Sequence, residues 1–117
     1  MSYDHRLLSE RVALSLFGNP SISLQELSKE LGVSRRTMQR AVIDVKGKRF
    51  RDLQDELLLA RVESLLMAAP CLAIKELCFQ VGFQSPRSFA RAVRSACGLS
   101  PEQLRAHIAS SLLTPAI

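Results

Sequence analysis

The ten residues LQELSKELGV at positions 24–33 recur in altered form as IKELCFQVGF at positions 74–83. Both segments carry Glu-Leu near their start and a glycine as their ninth residue. After one inserted residue, Arg-Ala-Val at 40–42 recurs at 91–93, and Gly47 corresponds to Gly98. Because self-similarity at a fixed spacing indicates a repeated structural unit, the chain is predicted to contain one unit twice.

The first copy has the pattern of a helix, a tight turn and a second helix. Ser23 followed by Glu26 is typical of a capping box at a helix start. Gly32 permits the left-handed backbone that ends many helices, and Ser34 can cap the next helix. The second helix is predicted over 35–46. Each helix is predicted to bury one apolar face, made of Leu24, Leu27 and Leu31 in the first helix and of Met38, Ala41, Val42 and Val45 in the second.

The second copy repeats this pattern, with a turn at Gly82-Phe83 and a second helix from Pro86 to about Cys97, before Gly98. Proline suits the first turn of a helix, because it has no N–H to leave unpaired. The apolar faces predicted for these two helices consist of Ile74, Leu77 and Val81, and of Phe89, Ala92, Val93 and Ala96.

Three further helices complete the predicted fold. Leu8, Val12 and Leu16 predict a helix over 4–17. A linker helix starts at Phe50, is ended by Pro70, and has Leu53, Leu57, Val62 and Leu65 on its apolar face. Ser100, Pro101 and Gln103 open a last helix. We therefore predict an all-α protein of seven helices and no strand, divided into a first lobe over 1–49, a linker helix over 50–69 and a second lobe over 70–117.

The charge distribution favours a polyanionic partner. The 117-residue chain has a net charge of +5 and no Trp, with a single Tyr. Seven basic residues and one acid, Asp44, lie between Arg35 and Arg51. Clustered Lys and Arg attract phosphates and release their counterions. The near absence of stacking aromatics disfavours single-stranded nucleic acid.

No pattern of residues indicates catalysis, a metal or a cofactor. The sequence lacks a phosphate loop, a nucleophile elbow and a paired carboxylate motif. His5 and His107 are isolated and expected to be exposed, and the three cysteines form no C-x-x-C pair, which indicates reduced thiols. Residues 1–19 do not resemble a signal peptide, and no apolar run reaches the roughly 18 residues that span a bilayer. We therefore expect a cytoplasmic location.

Two helix-turn-helix units, each with an Arg-rich second helix and joined by a further helix, resemble the DNA-binding domain of AraC/XylS-type bacterial transcription regulators. The resemblance extends from about Ser21 to Arg105. Its most recognisable part is AIKELCFQVGFQSPRSFARAVRSACGLSPEQLR at 73–105, with the Gly-Phe turn and the Gly-x-Ser-Pro motif.

The resemblance implies two recognition helices that enter the major groove of DNA. The first directs Arg36, Gln39 and Arg40 toward the bases, and the second directs Arg87, Ser88 and Arg91. The spacing of the Arg and Gln residues agrees, because they lie opposite the apolar face of each helix. The complete set of candidate DNA-binding residues is Arg35, Arg36, Gln39, Arg40, Lys48, Arg87, Ser88, Arg91 and Arg94. The alternative for each is a phosphate contact or a solvated basic face.

Five sites depart from the family pattern. Where the family commonly has Phe-Lys, this chain has Val-Ile at 42–43 and Val-Arg at 93–94, so a phosphate contact is lost at Ile43 and retained at Arg94. Pro86 replaces a polar side chain, and Ala73 replaces a helix-capping Ser or Thr. Leu58 replaces an arginine of the linker helix, either for packing or as an exposed apolar contact for a partner.

The implied function is sequence-specific double-stranded DNA binding that regulates transcription, with RNA polymerase as protein partner. An activator is expected, and a repressor is the alternative that the sequence leaves open. A single chain with two readers is expected to bind as a monomer. The alternative is a helical adapter that binds a protein through Leu58 and SLLTPAI at 111–117, with the basic stripe facing an acidic partner. The sequence leaves open whether the chain acts alone or is the DNA-binding piece of a longer regulator.

Overall fold

The computed structural model describes residues 4–113, with side chains to residue 111. Within that range the chain forms seven α-helices and no strand, which confirms the predicted fold class. The helices are α1 His5–Gly18, α2 Leu24–Leu31, α3 Arg35–Lys46, α4 Phe50–Ala68, α5 Ile74–Val81, α6 Pro86–Cys97 and α7 Pro101–Leu113.

Local sequence signals explain where these helices begin and end. The Ser23 hydroxyl accepts the Glu26 N–H at 3.1 Å, and Ser34 accepts the Thr37 N–H at the same distance. Ser100 and Gln103 form a complete capping box, because each side chain accepts the other residue's backbone N–H, at 3.1 and 2.9 Å. α2, α3, α5 and α6 each end at a glycine with positive φ. These caps satisfy backbone groups that a helix end leaves unpaired.

The helices enclose two separate apolar cores that share α4. The first core lies between α1, α2, α3 and the start of α4, and the second between the rest of α4 and α5–α7. We call these two groups of helices the first and the second lobe. The division of the chain at 49–50 and 69–70 stays a prediction. The fully buried side chains at the centres of the two cores are Val12, Leu16, Leu27, Met38 and Val42, and Val62, Leu77, Val81, Phe89 and Val93.

The repeated unit is larger than two helices. Leu8, Val12 and Leu16 on α1 correspond, fifty positions later, to Leu58, Val62 and Leu66 on α4, and all six are buried. After the one inserted residue, Phe50 and Leu53 at the start of α4 correspond to Pro101 and Leu104 on α7, fifty-one positions later. Each lobe is therefore a unit of four helices, and α4 is the last helix of the first lobe and the first helix of the second.

This double role of α4 explains where the predicted apolar face was wrong. Leu57 and Leu65 are only partly buried, whereas Leu58 and Leu66 are 3% and 2% exposed. A helix that serves two cores cannot keep one continuous stripe along its length. The packing interpretation of Leu58 is thus confirmed.

Two smaller expectations also changed. Val45 was predicted to be buried but is 39% exposed, because it lies in the last turn of α3, beyond the stripe formed by Met38, Ala41 and Val42. His5 was expected to be simply solvated, but its Nδ1 lies 2.7 Å from Asp44 Oδ2 and ties the start of α1 to α3. His107 is exposed as expected. The predicted C-terminal contact at 111–117 falls largely outside the described side chains.

Candidate nucleic-acid interface

The outer face of α3 carries four polar side chains that the protein core does not use. Arg35, Arg36, Gln39 and Arg40 are all exposed. On the opposite side of the helix, Met38, Ala41 and Val42 are completely buried. Because burial of that side fixes the rotation of the helix, the charged face is held outward as one surface. The structure thus brings the four predicted residues of the first reader together.

The start of α3 is held by a local network. The Ser34 hydroxyl accepts the Thr37 N–H at 3.1 Å and lies 2.8 Å from the Thr37 hydroxyl. Such a cap leaves the first-turn N–H groups ordered and pointing out of the helix end. This end of the helix therefore combines positive dipole charge with Arg35 and Arg36.

In the second lobe, α6 presents the corresponding face. Arg87, Arg91 and Arg94 are exposed, while Phe89 and Val93 are fully buried on the other side. Pro86 occupies the first helical position, where its fixed backbone favours the helix. The three arginines lie at spacings of four and three residues and so share one side of the helix.

Ser88 is more constrained than the other candidates. Its N–H donates to the Ser85 hydroxyl at 3.2 Å, and the two hydroxyls lie 3.0 Å apart. When the Ser85 hydroxyl donates to it, the Ser88 hydroxyl still has its own proton to donate. Ser88 therefore remains able to contact an acceptor on DNA, but from a position that the helix cap fixes.

The basic segment after α3 is partly neutralised by the protein itself. Lys48 forms an ion pair with Glu56 on α4, and Arg51 Nε lies 3.6 Å from Asp55 Oδ1. Exposed ion pairs of this kind contribute little to stability and are screened by salt. A DNA phosphate can therefore compete for Lys48, but Glu56 opposes that contact.

A groove of about 590 Å³ lies beside the first reading face, between α2, α3 and the start of α4. Its lining includes Gln39 and Ile43 from α3, and Arg49 and Arg51 from the start of α4. Arg49 and Arg51 were counted in the basic cluster but were not among the predicted contact residues. The tight spacing of basic residues at 46–51 was the signal that could have included them.

Other kinds of site receive no support in the part of the chain that the structure describes. Between residues 4 and 111, no three His, Cys, Asp or Glu side chains are grouped so that they could bind a metal ion. None of the seven helices has the length and apolar composition needed to cross a membrane.

Comparison with known proteins identifies the family. The sequence model of a helix-turn-helix domain matches residues 27–107, which include α3, α4, α5 and α6. The chain belongs to the AraC-type helix-turn-helix family. It is thus a DNA-binding domain of transcription regulators and not an enzyme. No match is found among curated protein sequences.

Two solved structures show the same fold as this AraC-type domain. One is the C-terminal domain of AraT, a response regulator from Geobacillus stearothermophilus, with a TM-score of 0.69 and 24% identity over 86% of this chain and 84% of that one. The other is a DNA-binding transcriptional dual regulator from Escherichia coli K-12, with a TM-score of 0.63 and 19% identity over 88% and 93% of the two chains. At these identities the likeness establishes the fold alone.

Proposed function

We propose that this AraC-type domain binds double-stranded DNA sequence-specifically as a monomer, with α3 and α6 in two successive segments of the major groove. The observation that carries the proposal is the pair of exposed Arg-rich faces, each backed by a fully buried apolar face, on two lobes of one chain. The connecting helix α4 has 19 residues and is therefore about 28 Å long. That length is close to the roughly 34 Å at which the major groove repeats along one side of DNA.

The side chains of the two faces suit base recognition. Arginine pairs bidentately with guanine, and glutamine pairs bidentately with adenine. In the first reader, Arg36, Gln39 and Arg40 are assigned to base edges. In the second reader, Arg87, Ser88 and Arg91 take that role. The remaining candidates, Arg35, Lys48 and Arg94, are assigned to phosphates, which hold the protein in register without reading sequence.

The test is selection of bound duplexes from a random pool, with the wild-type chain and with single alanine variants. Gln39→Ala and Arg40→Ala should relax base preference in one half of the selected site, at a loss of about 1 to 3 kcal/mol per bidentate contact. Arg87→Ala and Arg91→Ala should relax the other half, about ten base pairs away. If every variant lowered affinity uniformly and left the preferred sequence unchanged, the two faces would be solvated basic surfaces only.

Lys48→Ala is the matched control, because a contact to a DNA phosphate does not distinguish one base sequence from another. It should weaken binding to all sequences alike and reduce the salt dependence by about one counterion. Because Lys48 is already paired with Glu56, Glu56→Gln should strengthen binding to all sequences by freeing the ammonium group. No effect of either substitution on affinity would remove Lys48 from the interface.

The monomer assignment rests on the internal repeat, which supplies two readers in one chain. Sedimentation of the protein with a minimal selected duplex should show one chain per site. Two chains on that duplex would contradict the assignment.

Transcription activation through RNA polymerase in a bacterial cytoplasm is the corresponding biological role, and its support is the family resemblance. The adapter alternative is weakened, because Leu58, its proposed contact residue, is 3% exposed. The dependence of affinity on salt concentration distinguishes the two functions. DNA binding should weaken steeply as the salt concentration rises, whereas binding through an apolar protein interface should change little.

A further inference from the structure

The two lobes touch at a point away from their shared helix. The loop between α1 and α2, residues 19–22, belongs to the first lobe and reaches the turn at Gly82 in the second lobe. The Ser21 hydroxyl shares its single proton between two acceptors, the Gly82 carbonyl oxygen at 2.9 Å and Asn19 Oδ1 at 2.6 Å. Gly82 ends α5, three residues before the Ser85 cap of the second recognition helix.

The loop is itself fastened to α4. The Gln54 side-chain amide donates to the carbonyl oxygens of Pro20 and Ile22, at 3.0 and 2.8 Å. These bonds hold the backbone on either side of Ser21 against the linker helix. The Ser21 hydroxyl is therefore presented to the second lobe from a fixed position.

Further contacts between the lobes surround this bond. Arg51, at the start of α4, donates from Nη2 to the Ser95 hydroxyl on α6 at 3.3 Å. A cavity of about 110 Å³ lies at the junction and is lined by Pro20, Ser21 and Arg51 from the first lobe and by Phe83 and Ala92 from the second. The two lobes are thus connected through side chains as well as through the length of α4.

We propose that Ser21, through its bond to Gly82, is a positioning residue that fixes the distance between the two halves of the DNA site. The inference rests on the proposed function, since it concerns how that function tolerates changes in spacing. DNA whose half-sites match the closed junction binds without disturbing it. DNA with one base pair added or removed requires the lobes to shift, which breaks the bond between Ser21 and Gly82. The junction therefore weakens binding to incorrectly spaced sites.

The test measures the affinity of the full chain for duplexes that carry both selected half-sites at the selected spacing and at spacings one base pair shorter or longer. Ser21→Ala should raise the affinity for the incorrect spacings by about threefold, the equivalent of one lost hydrogen bond of ordinary strength. Affinity at the selected spacing should stay unchanged, because the closed arrangement remains the dominant one. A gain of affinity is not what a general loss of folding would produce.

Three further variants sharpen the result. Ser95→Ala removes the second contact and should add to the effect of Ser21→Ala, whereas Ser21→Thr keeps a hydroxyl and should restore wild-type spacing preference. Cys71→Ala is the matched control, because exposed Cys71 occupies the position equivalent to Ser21 in the second copy. It should leave the spacing preference unchanged.

A measurement without DNA tests the same junction. Spin labels on Cys71 and on a Glu30→Cys variant, one in each lobe, should show a broader distance distribution after Ser21→Ala. Equal spacing preference for wild type and Ser21→Ala would overturn the inference while leaving the proposed function intact. Selection that yields a single half-site, or none, would instead contradict the proposed function and the inference with it.

Discussion

The two lobes agree in their cores and differ at the starts of their helices. Leu8, Val12 and Leu16 recur as the same three residue types at 58, 62 and 66. By contrast, Ser23 caps α2 through its hydroxyl, whereas Ala73 begins α5 without a side-chain cap. Apolar residues that share a core constrain one another, while an exposed cap contributes only about 1 kcal/mol and can be lost without changing the fold.

The reading faces differ as well. α3 offers Arg36, Gln39 and Arg40 in succession, and α6 begins with Pro86 and then offers Arg87, Ser88 and Arg91. The repeat therefore preserves the positions that pack and varies the positions that face outward. Three matched pairs of substitutions, with one member of each pair in each lobe, and a single substitution at Cys78 can test how far this equivalence holds.

The largest losses of stability are expected for substitutions at the centres of the two cores. Met38 on α3 corresponds to Phe89 on α6, and both are fully buried. Phe89 also packs against Phe83, with ring centroids 5.5 Å apart. Phe89→Ala should lower the free energy of unfolding by about 3 to 5 kcal/mol, and Met38→Ala by about 2 to 5 kcal/mol. Denaturant unfolding of each variant gives the comparison. A small loss at Phe89 would show that the second core can collapse around the cavity.

The next largest loss of stability is expected for substitutions at the turn glycines. Gly32 and Gly82 both have positive φ, at 68° and 110°, but only Gly82 is close to another segment. A Cβ on Gly82 would lie 2.7 Å from Asn19 Oδ1, whereas a Cβ on Gly32 would meet nothing within 4 Å. Gly32→Ala should cost about 1 kcal/mol from backbone strain alone.

Gly82→Ala should cost more, because the Asn19 side chain must move and lose its contact with Ser21, which adds about 0.5 to 1.5 kcal/mol. In an Asn19→Ala background, where that contact is already absent, Gly82→Ala should cost only as much as Gly32→Ala does in the wild type. Thermal unfolding measures all three. Equal costs at Gly32 and Gly82 in the wild-type background would mean that the junction adjusts freely.

The repeat was visible in the sequence because glycine turns and Leu spacing survive in both copies. Its full extent was missed, although Leu8 with Val12 and Leu16 matches Leu58 with Val62 and Leu66 at the same shift. The obstacle is α4, whose sequence pattern predicts a linker helix with one apolar face. A sequence pattern does not show that one helix turns its first part to one core and its last part to another.

For the candidate interface, the sequence predicted which face of each recognition helix is exposed, but not the contacts between helices. Periodicity placed Gln39 and Arg91 on exposed faces, and the structure confirms that exposure. The pairing of Lys48 with Glu56, and the contact of Ser21 with Gly82, join residues 8 and 61 positions apart. Such contacts depend on how the helices pack against one another, and local sequence patterns do not predict them.

The helix caps provide a smaller test of equivalence between the lobes. Ala73 has φ of −61° and ψ of 144°, close to the −78° and 158° of Ser23. A serine at position 73 can therefore cap α5 without a change of backbone. Ala73→Ser should raise the free energy of unfolding by about 0.5 to 1 kcal/mol, and Ser23→Ala should lower it by about 1 kcal/mol. If Ala73→Ser had no effect in thermal unfolding, the start of α5 would differ from that of α2 in more than its side chain.

The smallest change in stability is expected for substitution of Cys78, which occupies the position equivalent to Ser28 of the first copy. Cys78 is fully buried, and burial raises the pKa of its thiol above the ordinary value. In the unfolded chain the thiol ionises at its ordinary pKa, whereas in the folded chain it ionises at a higher pH. The unfolded state therefore binds fewer protons in alkaline solution, and stability should fall as pH rises past the pKa of an unperturbed cysteine. Cys78→Ser should remove this part of the alkaline decline, with wild type and variant compared by denaturant unfolding at pH 7 and pH 10.

In the wild type, alkylation should be fast at exposed Cys71 and slow at Cys78, because Cys78 becomes accessible only when the second lobe opens. Equal alkylation rates at Cys71 and Cys78 would mean that the second core is open in the native state.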